Sequence, residues 1–206
     1  IIGDVNRDPG NPDMFRDKDF YKRRIWNPRQ GLSLNEKKQL QSKHALVFRE
    51  SIMQTYHKAY QQGYRHILHI DHHNTAIDHP AHNGQYLPPI TLGNYGDHEG
   101  KKDDRPLSCA PWVIQSLQSE LKSQLPSFSI ALNQVFKGSA LIRFIKSEVE
   151  PTFPGLKIEA ILIEWNLNLV WNPLSKRLDA YALKKLKNAF THSLEQTALV
   201  LDQKPS

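Results

Sequence analysis

The chain has 206 residues, one cysteine and a formal net charge of +6. That length supports one core and a single domain over residues 1–206, and Cys109 alone can form neither an intrachain disulfide nor a cysteine-based zinc cluster. The longest apolar runs are as short as Ala160 to Ile163, which excludes a helical membrane span.

The sequence pI of about 9.3 favours anionic partners. The lysines and arginines are scattered, however, and make no RNP-like, zinc-finger or basic-zipper pattern, so nucleic acid is not the expected partner. A lone cysteine suits a reducing cytoplasm. The chain opens Ile1-Ile2-Gly3 with neither an initiator methionine nor a signal peptide, as a segment inside a domain would.

In chain order, "IIGDVNRDPG" is a short apolar start running into a turn rich in Asp, Asn, Pro and Gly. Asp13 to Gln30 continues as polar loop. Ser33 with Glu36 three residues on is a capping box, and it predicts a helix whose apolar positions are Leu40, Val47, Ile52, Met53, Tyr56 and Tyr60. Gly63 is its stop. His66 to Asp71 reads as a strand. His72 to Arg105 reads as a long loop, a kind of segment that often carries function. Pro111 opens a second helix with Val113, Leu117 and Leu121 on one face, and Pro126 follows it.

"FSIALN" is a short strand, and Gly138 to Glu148 a helix. In "LKIEAILIEWN" the period-two alternation sets Leu156, Ile158, Ala160, Leu162 and Glu164 on one face of a strand. After a turn at Asn172-Pro173, Ala180 to Leu201 is an amphipathic helix built on Leu183, Leu186, Phe190, Leu194 and Leu201. Strands alternating with helices predict an α/β fold with a mixed, mostly parallel sheet, in which ligands gather at strand ends.

Several groups at those ends can carry chemistry. The stretch Arg65 to His82 holds six of the ten histidines. In an extended chain His69, Asp71 and His73 point to one side, and Leu68, Ile70 and His72 to the other. An Asp beside a His suits a metal. A solvated polar loop accounts for the same letters, and the pattern does not choose the ligand. Glu164 ends an apolar strand, so it is either paired or at the mouth of a site, where a glutamate can act as general base. Arg7 can offer a fork to a carboxylate, or brace its own turn through Asp4 or Asp8. Asn133, with the backbone N–H groups near Gly138, can bind an anion or simply start a helix.

Taken in order, "DVNRDP" (Asp4 to Pro9), "DHHN" (Asp71 to Asn74), "LGNYG" (Leu92 to Gly96) with Ser108-Cys109, "NQVFKGS" (Asn133 to Ser139) and "IEWN" (Ile163 to Asn166) resemble the core motifs of the N-formylglutamate amidohydrolase family. No single motif is specific; five in sequence are. The resemblance implies a zinc-carboxypeptidase-like three-layer α/β/α sandwich lacking its N-terminal part, and one zinc ion. It implies His73 as a zinc ligand with Asp71 behind it, and Glu164 as the base that activates a water. It implies Asn6 and Arg7 as the pair that holds the substrate's α-carboxylate, with Asn133 as a further substrate contact. The substrate it implies is a small N-acyl amino acid, N-formyl-L-glutamate first.

Three departures accompany the likeness. Asn74 stands where the family has Ser, and Ser139 where it has a second Gly. The family's P-H-S-G segment, with a zinc-binding His and a further acidic ligand after it, does not precede Asp4. A catalytic zinc takes about three protein ligands, so the expectation is that the others lie upstream of Ile1. A non-catalytic relative or fragment that binds metal or small acids is the alternative expectation.

Overall fold

The computed structural model describes residues 33–40, 43, 46–75, 87–172, 174–175 and 177–203. Asp4, Asn6 and Arg7 lie outside them, as do His79 and His82. The described residues form two compact units, one of residues up to Arg65 with Ser139–Leu156, the other of His66–Gly138 with the residues from Lys157 onward.

The first unit is helical. Ser33 and Glu36 make the capping box: Ser33 N and Oγ each donate to Glu36 Oε2 at 2.7 Å, and Glu36 N donates to Ser33 Oγ at 3.3 Å. Those bonds, side chain first, hold the Glu36 carboxyl below its ordinary value. Helix α1 (Leu34–Leu40) follows, then α2 (Val47–Gln61). Gly63, at φ +92°, ends α2. Its N–H donates to Tyr60 O and the Tyr64 N–H to Ala59 O, the paired closing bonds of a Schellman motif. Further along, Ser139 caps α4 (Ala140–Phe144) by accepting from Ile142 N at 3.1 Å. The helix predicted to reach Glu148 changes pitch instead, through a π turn (Ile145–Val149) and a 3-10 turn (Glu150–Thr152) at Pro151.

The second unit is α/β. Strands β1 (His66–Thr75), β2 (Ile90–Gly93), β3 (Ile130–Leu132) and β4 (Lys157–Asn166) form one sheet in the order β1-β4-β2-β3. The pairs β1–β4 and β2–β3 are parallel; β2 runs antiparallel to β4. The sheet is thus mixed and mostly parallel, as expected. Strand β4 is paired on both sides, and its run Ile158–Ile163 is buried throughout, as for a strand covered on both faces.

Strand β2 corrects the reading of His72–Arg105 as loop. Its four residues are all buried, but Pro88, Pro89 and Gly93 punctuate it as a turn.

Helices α3 (Pro111–Gln124) and α5 (Ala180–Gln203) pack on one face of this sheet. Val113, Ile114, Leu117 and Leu121 of α3, with Leu186, Ala189 and Leu201 of α5, meet Ile90, Leu92, Ile130, Leu132, Ile161, Ile163 and Trp165. Burying each large aliphatic chain there is worth about 1.5–3 kcal/mol. Leu183, expected in the apolar stripe, is 47% exposed. On this face too lies Glu159, buried and accepting from Ala110 N at 2.6 Å. Its carboxylate sits at the N-terminal end of α3, where negative charge is favoured, with Lys157 Nζ at 3.2 Å. A small hairpin, β5 (Trp171–Asn172) with β6 (Arg177–Leu178), leads into α5. Asp179 Oδ1 caps that helix by accepting from Tyr181 N and Ala182 N.

Candidate active site

The second face of the β1–β4 pair carries a group of polar side chains at the carboxyl ends of the two strands. Side chains alternate along a strand, so Asp71, His73 and Thr75 of β1 share this face, while His72 and Asn74 share the other. The parallel register sets His73 beside Glu164 and Thr75 beside Asn166, and on the far side of β4 Thr91 of β2 pairs with Glu164. In-register neighbours on adjacent strands lie about 4.8 Å apart. The imidazole of His73 and the carboxylate of Glu164, 91 residues apart in sequence (164 − 73), therefore rise from adjacent points of one surface. They do so at the carboxyl ends of β1 and β4, where open α/β sheets bind ligands.

Two hydrogen bonds order the group. Asp71, buried, holds His73 through Oδ1 and Nε2 at 2.9 Å. With Asp71 accepting the Nε2 proton, the ring's lone pair lies on Nδ1, the tautomer of a metal-ligating histidine backed by a carboxylate. Thr75 Oγ1 donates to Glu164 Oε2 at 2.6 Å. Thr75 is a site residue that the sequence reading missed, although the alternation that paired Asp71 with His73 extends to it.

The two neighbouring histidines sit differently. His69 shares the face of Asp71; burial pushes its imidazole down, and the attraction of Asp71 opposes this without reversing it. His72 stacks on Phe190 at 5.7 Å and meets Trp165 edge-on at 6.0 Å, on the helix-packed face. Desolvation lowers its pKa first and the like charge of His73 second, against the pull of Asp71. Both rings are therefore held toward the neutral form. The Asn74 departure also lies on the face opposite His73, and Ser139 is accounted for as a helix cap.

Asn133 is not brought to this group. Strands β2 and β3 run opposite to β4, so Asn133, one residue past Leu132 in the Leu92–Ile163 row, sits two strands away from Glu164, and the loop beyond it leads away from the carboxyl end of β4. There Asn133, at φ +53°, accepts from Asn94 N at 2.9 Å and donates to Asn94 Oδ1 at 2.8 Å and Asp97 O at 2.6 Å. Buried Asn94 in turn donates to Gly100 O and Cys109 O and accepts from Gly96 N. The "LGNYG" and "NQVFKGS" loops interlock closely: a Cβ on Gly138 would stand 2.5 Å from the Tyr95 ring, and one on Gly93 2.7 Å from the Lys137 carbonyl. These motif residues knit loop to loop. The side chain of Asn133, expected to contact substrate, is engaged in that network.

Beyond the carboxyl end of β4 a recess of about 430 Å³ opens among Leu87, Ser127, Phe128, Asn166 and Asn168. Its described lining carries no charged side chain. Asn166 stands two residues beyond Glu164 on the same face of β4, about 7 Å along the strand.

A catalytic zinc takes three protein ligands and keeps one position open. Among the described residues no group of three or more His, Cys, Asp or Glu side chains is placed to hold a metal. His73, oriented by Asp71, fits one of the three.

A solved structure of an N-formylglutamate amidohydrolase from Ralstonia eutropha JMP134 superposes on the chain with a TM-score of 0.59 at 16% identity. This chain shares the fold of part of that amidohydrolase. The match covers 84% of the chain and 58% of the amidohydrolase, so the chain spans less than two thirds of its length. No family model and no curated protein sequence matches the chain. Among the described residues no helix is long and apolar enough to cross a membrane.

Proposed function

We propose that the chain carries part of the catalytic centre of a zinc-dependent hydrolase. Its substrate would be a small N-acyl amino acid, N-formyl-L-glutamate first, whose amide bond is cleaved to a carboxylic acid and a free amino acid. The scaffold in this reading is the zinc-carboxypeptidase-like three-layer sandwich, working in the cytoplasm. One observation carries the proposal: Glu164 and the Asp71-held His73 stand in register on one face, at the carboxyl ends of neighbouring strands.

His73 would contribute one ligand through Nδ1, and Asp71 would fix its tautomer and raise its basicity. When bound, zinc would supply a Lewis acid for the acyl oxygen and lower the pKa of a water. Glu164 takes the proton of the attacking water and delivers it to the leaving amine. Arg7 and Asn6 would clamp the α-carboxylate, Arg7 through a two-pronged charge-assisted contact. Asn133 in this reading braces the loop that follows β2.

The test is turnover by the full-length protein on a panel of N-formyl and N-acetyl amino acids, read as release of the free amino acid. Release that stops on chelation and returns with zinc is the expected result. No release from any member of the panel by zinc-loaded protein would overturn the proposal.

A further inference from the structure

We infer that Thr75 is a positioning residue that holds the Glu164 carboxylate in its working orientation. The inference rests on the general-base reading of Glu164. Thr75 is only 4% exposed, and its hydroxyl donates to Glu164 Oε2 at 2.6 Å. That is a short O–H···O hydrogen bond. The bond crosses from β1 to β4 on the diagonal, because the register partner of Thr75 is Asn166.

A glutamate has three side-chain torsions, and the last is broad and nearly two-fold. At a strand end such a carboxylate would sweep through many orientations and lose them only at an entropic cost. Thr75 removes much of that freedom in advance. Its own side chain is β-branched and stiff at χ1, and it belongs to the strand that carries His73. One short element thus fixes both the imidazole and the direction of the carboxylate. A general base works only from a near-attack geometry, and misplacement by about 1 Å can cost about 100-fold in rate.

A buried threonine can also serve the fold alone, and two substitutions in the full-length protein separate the roles. Thr75→Val keeps the shape and removes the donor; Thr75→Ser keeps the donor. On the N-formyl and N-acetyl amino acid panel, Thr75→Val is expected to lower kcat by roughly 10- to 100-fold, with little change in KM. Thr75→Ser is expected to restore most of kcat, and both variants to melt close to the parent. Crystal structures of the parent and both variants supply a readout without turnover. The Glu164 carboxylate should hold one orientation in the parent and Thr75→Ser, and rotate or spread over several in Thr75→Val.

A Thr75→Val protein with parental kcat, or with Glu164 unmoved, overturns the inference. If Glu164 is released in Thr75→Val but the parent hydrolyses nothing, the positioning stands and the hydrolase reading falls.

Discussion

The two faces of the β1–β4 pair take adjacent residues into opposite surroundings. On one, Ile161, Ile163 and Trp165 meet the apolar stripes of α3 and α5, and His72 is drawn in among Trp165 and Phe190. On the other, Asp71, His73, Thr75 and Glu164 form a hydrogen-bonded polar group. His72 and His73 are neighbours in sequence with the same side chain, yet one is packed as an aromatic ring and the other is braced by a carboxylate. A strand assigns roles by parity. Composition alone, six histidines in one stretch, cannot.

Substitutions on the two faces should separate accordingly. The largest effect is expected at Glu164: Glu164→Gln should lower turnover by about 100- to 10,000-fold while zinc content stays at the parental level. Turnover near the parental rate in a zinc-replete assay would remove the general base from the account. On the helix-packed face, Ile161→Ala should cost about 2–5 kcal/mol in denaturant unfolding, with zinc content per folded molecule unchanged. Loss of zinc from folded Ile161→Ala would blur the division between faces.

A smaller effect is expected at Asp71. Asp71→Asn should weaken zinc binding by about 10- to 100-fold in competition with a chelator, because the ligand loses its orienting carboxylate.

The smallest effect is a pH dependence. His72 has its folded pKa pushed below the ordinary value. The unfolded chain therefore binds more protons in the window below about pH 6.5. His72 leaves stability intact above that window, and stability falls as the pH drops through it toward the folded pKa. His72→Phe keeps the ring stack and removes the titration, so its denaturation midpoint should fall less on acidification than the parent's. An identical fall would mean that His72 is as solvated folded as unfolded.

Much of this group was legible because strand periodicity is local. The alternation over Ile67 to His73 puts His73 and His72 on opposite faces, and "LKIEAILIEWN" marks β4 with Glu164 at its end. What was not legible depended on distant partners. Strand β2 has four residues, follows two prolines and ends on a glycine, and only its pairing with β3 and β4 makes it a strand. Thr75 gained its role from a carboxylate 89 residues away. The bond from the Asn133 amide to Asn94, 39 residues earlier, likewise depends on a distant partner. The "DVNRDP" motif, with Asn6 and Arg7, lies outside the described residues.

The central claim is that chemistry belongs to the face of His73 and packing to the face of His72. Zinc stoichiometry of the full-length protein, measured for His73→Ala and His72→Ala side by side, tests it most directly. His73→Ala is expected to lose zinc and His72→Ala to retain it. Equal loss in the two variants would contradict it.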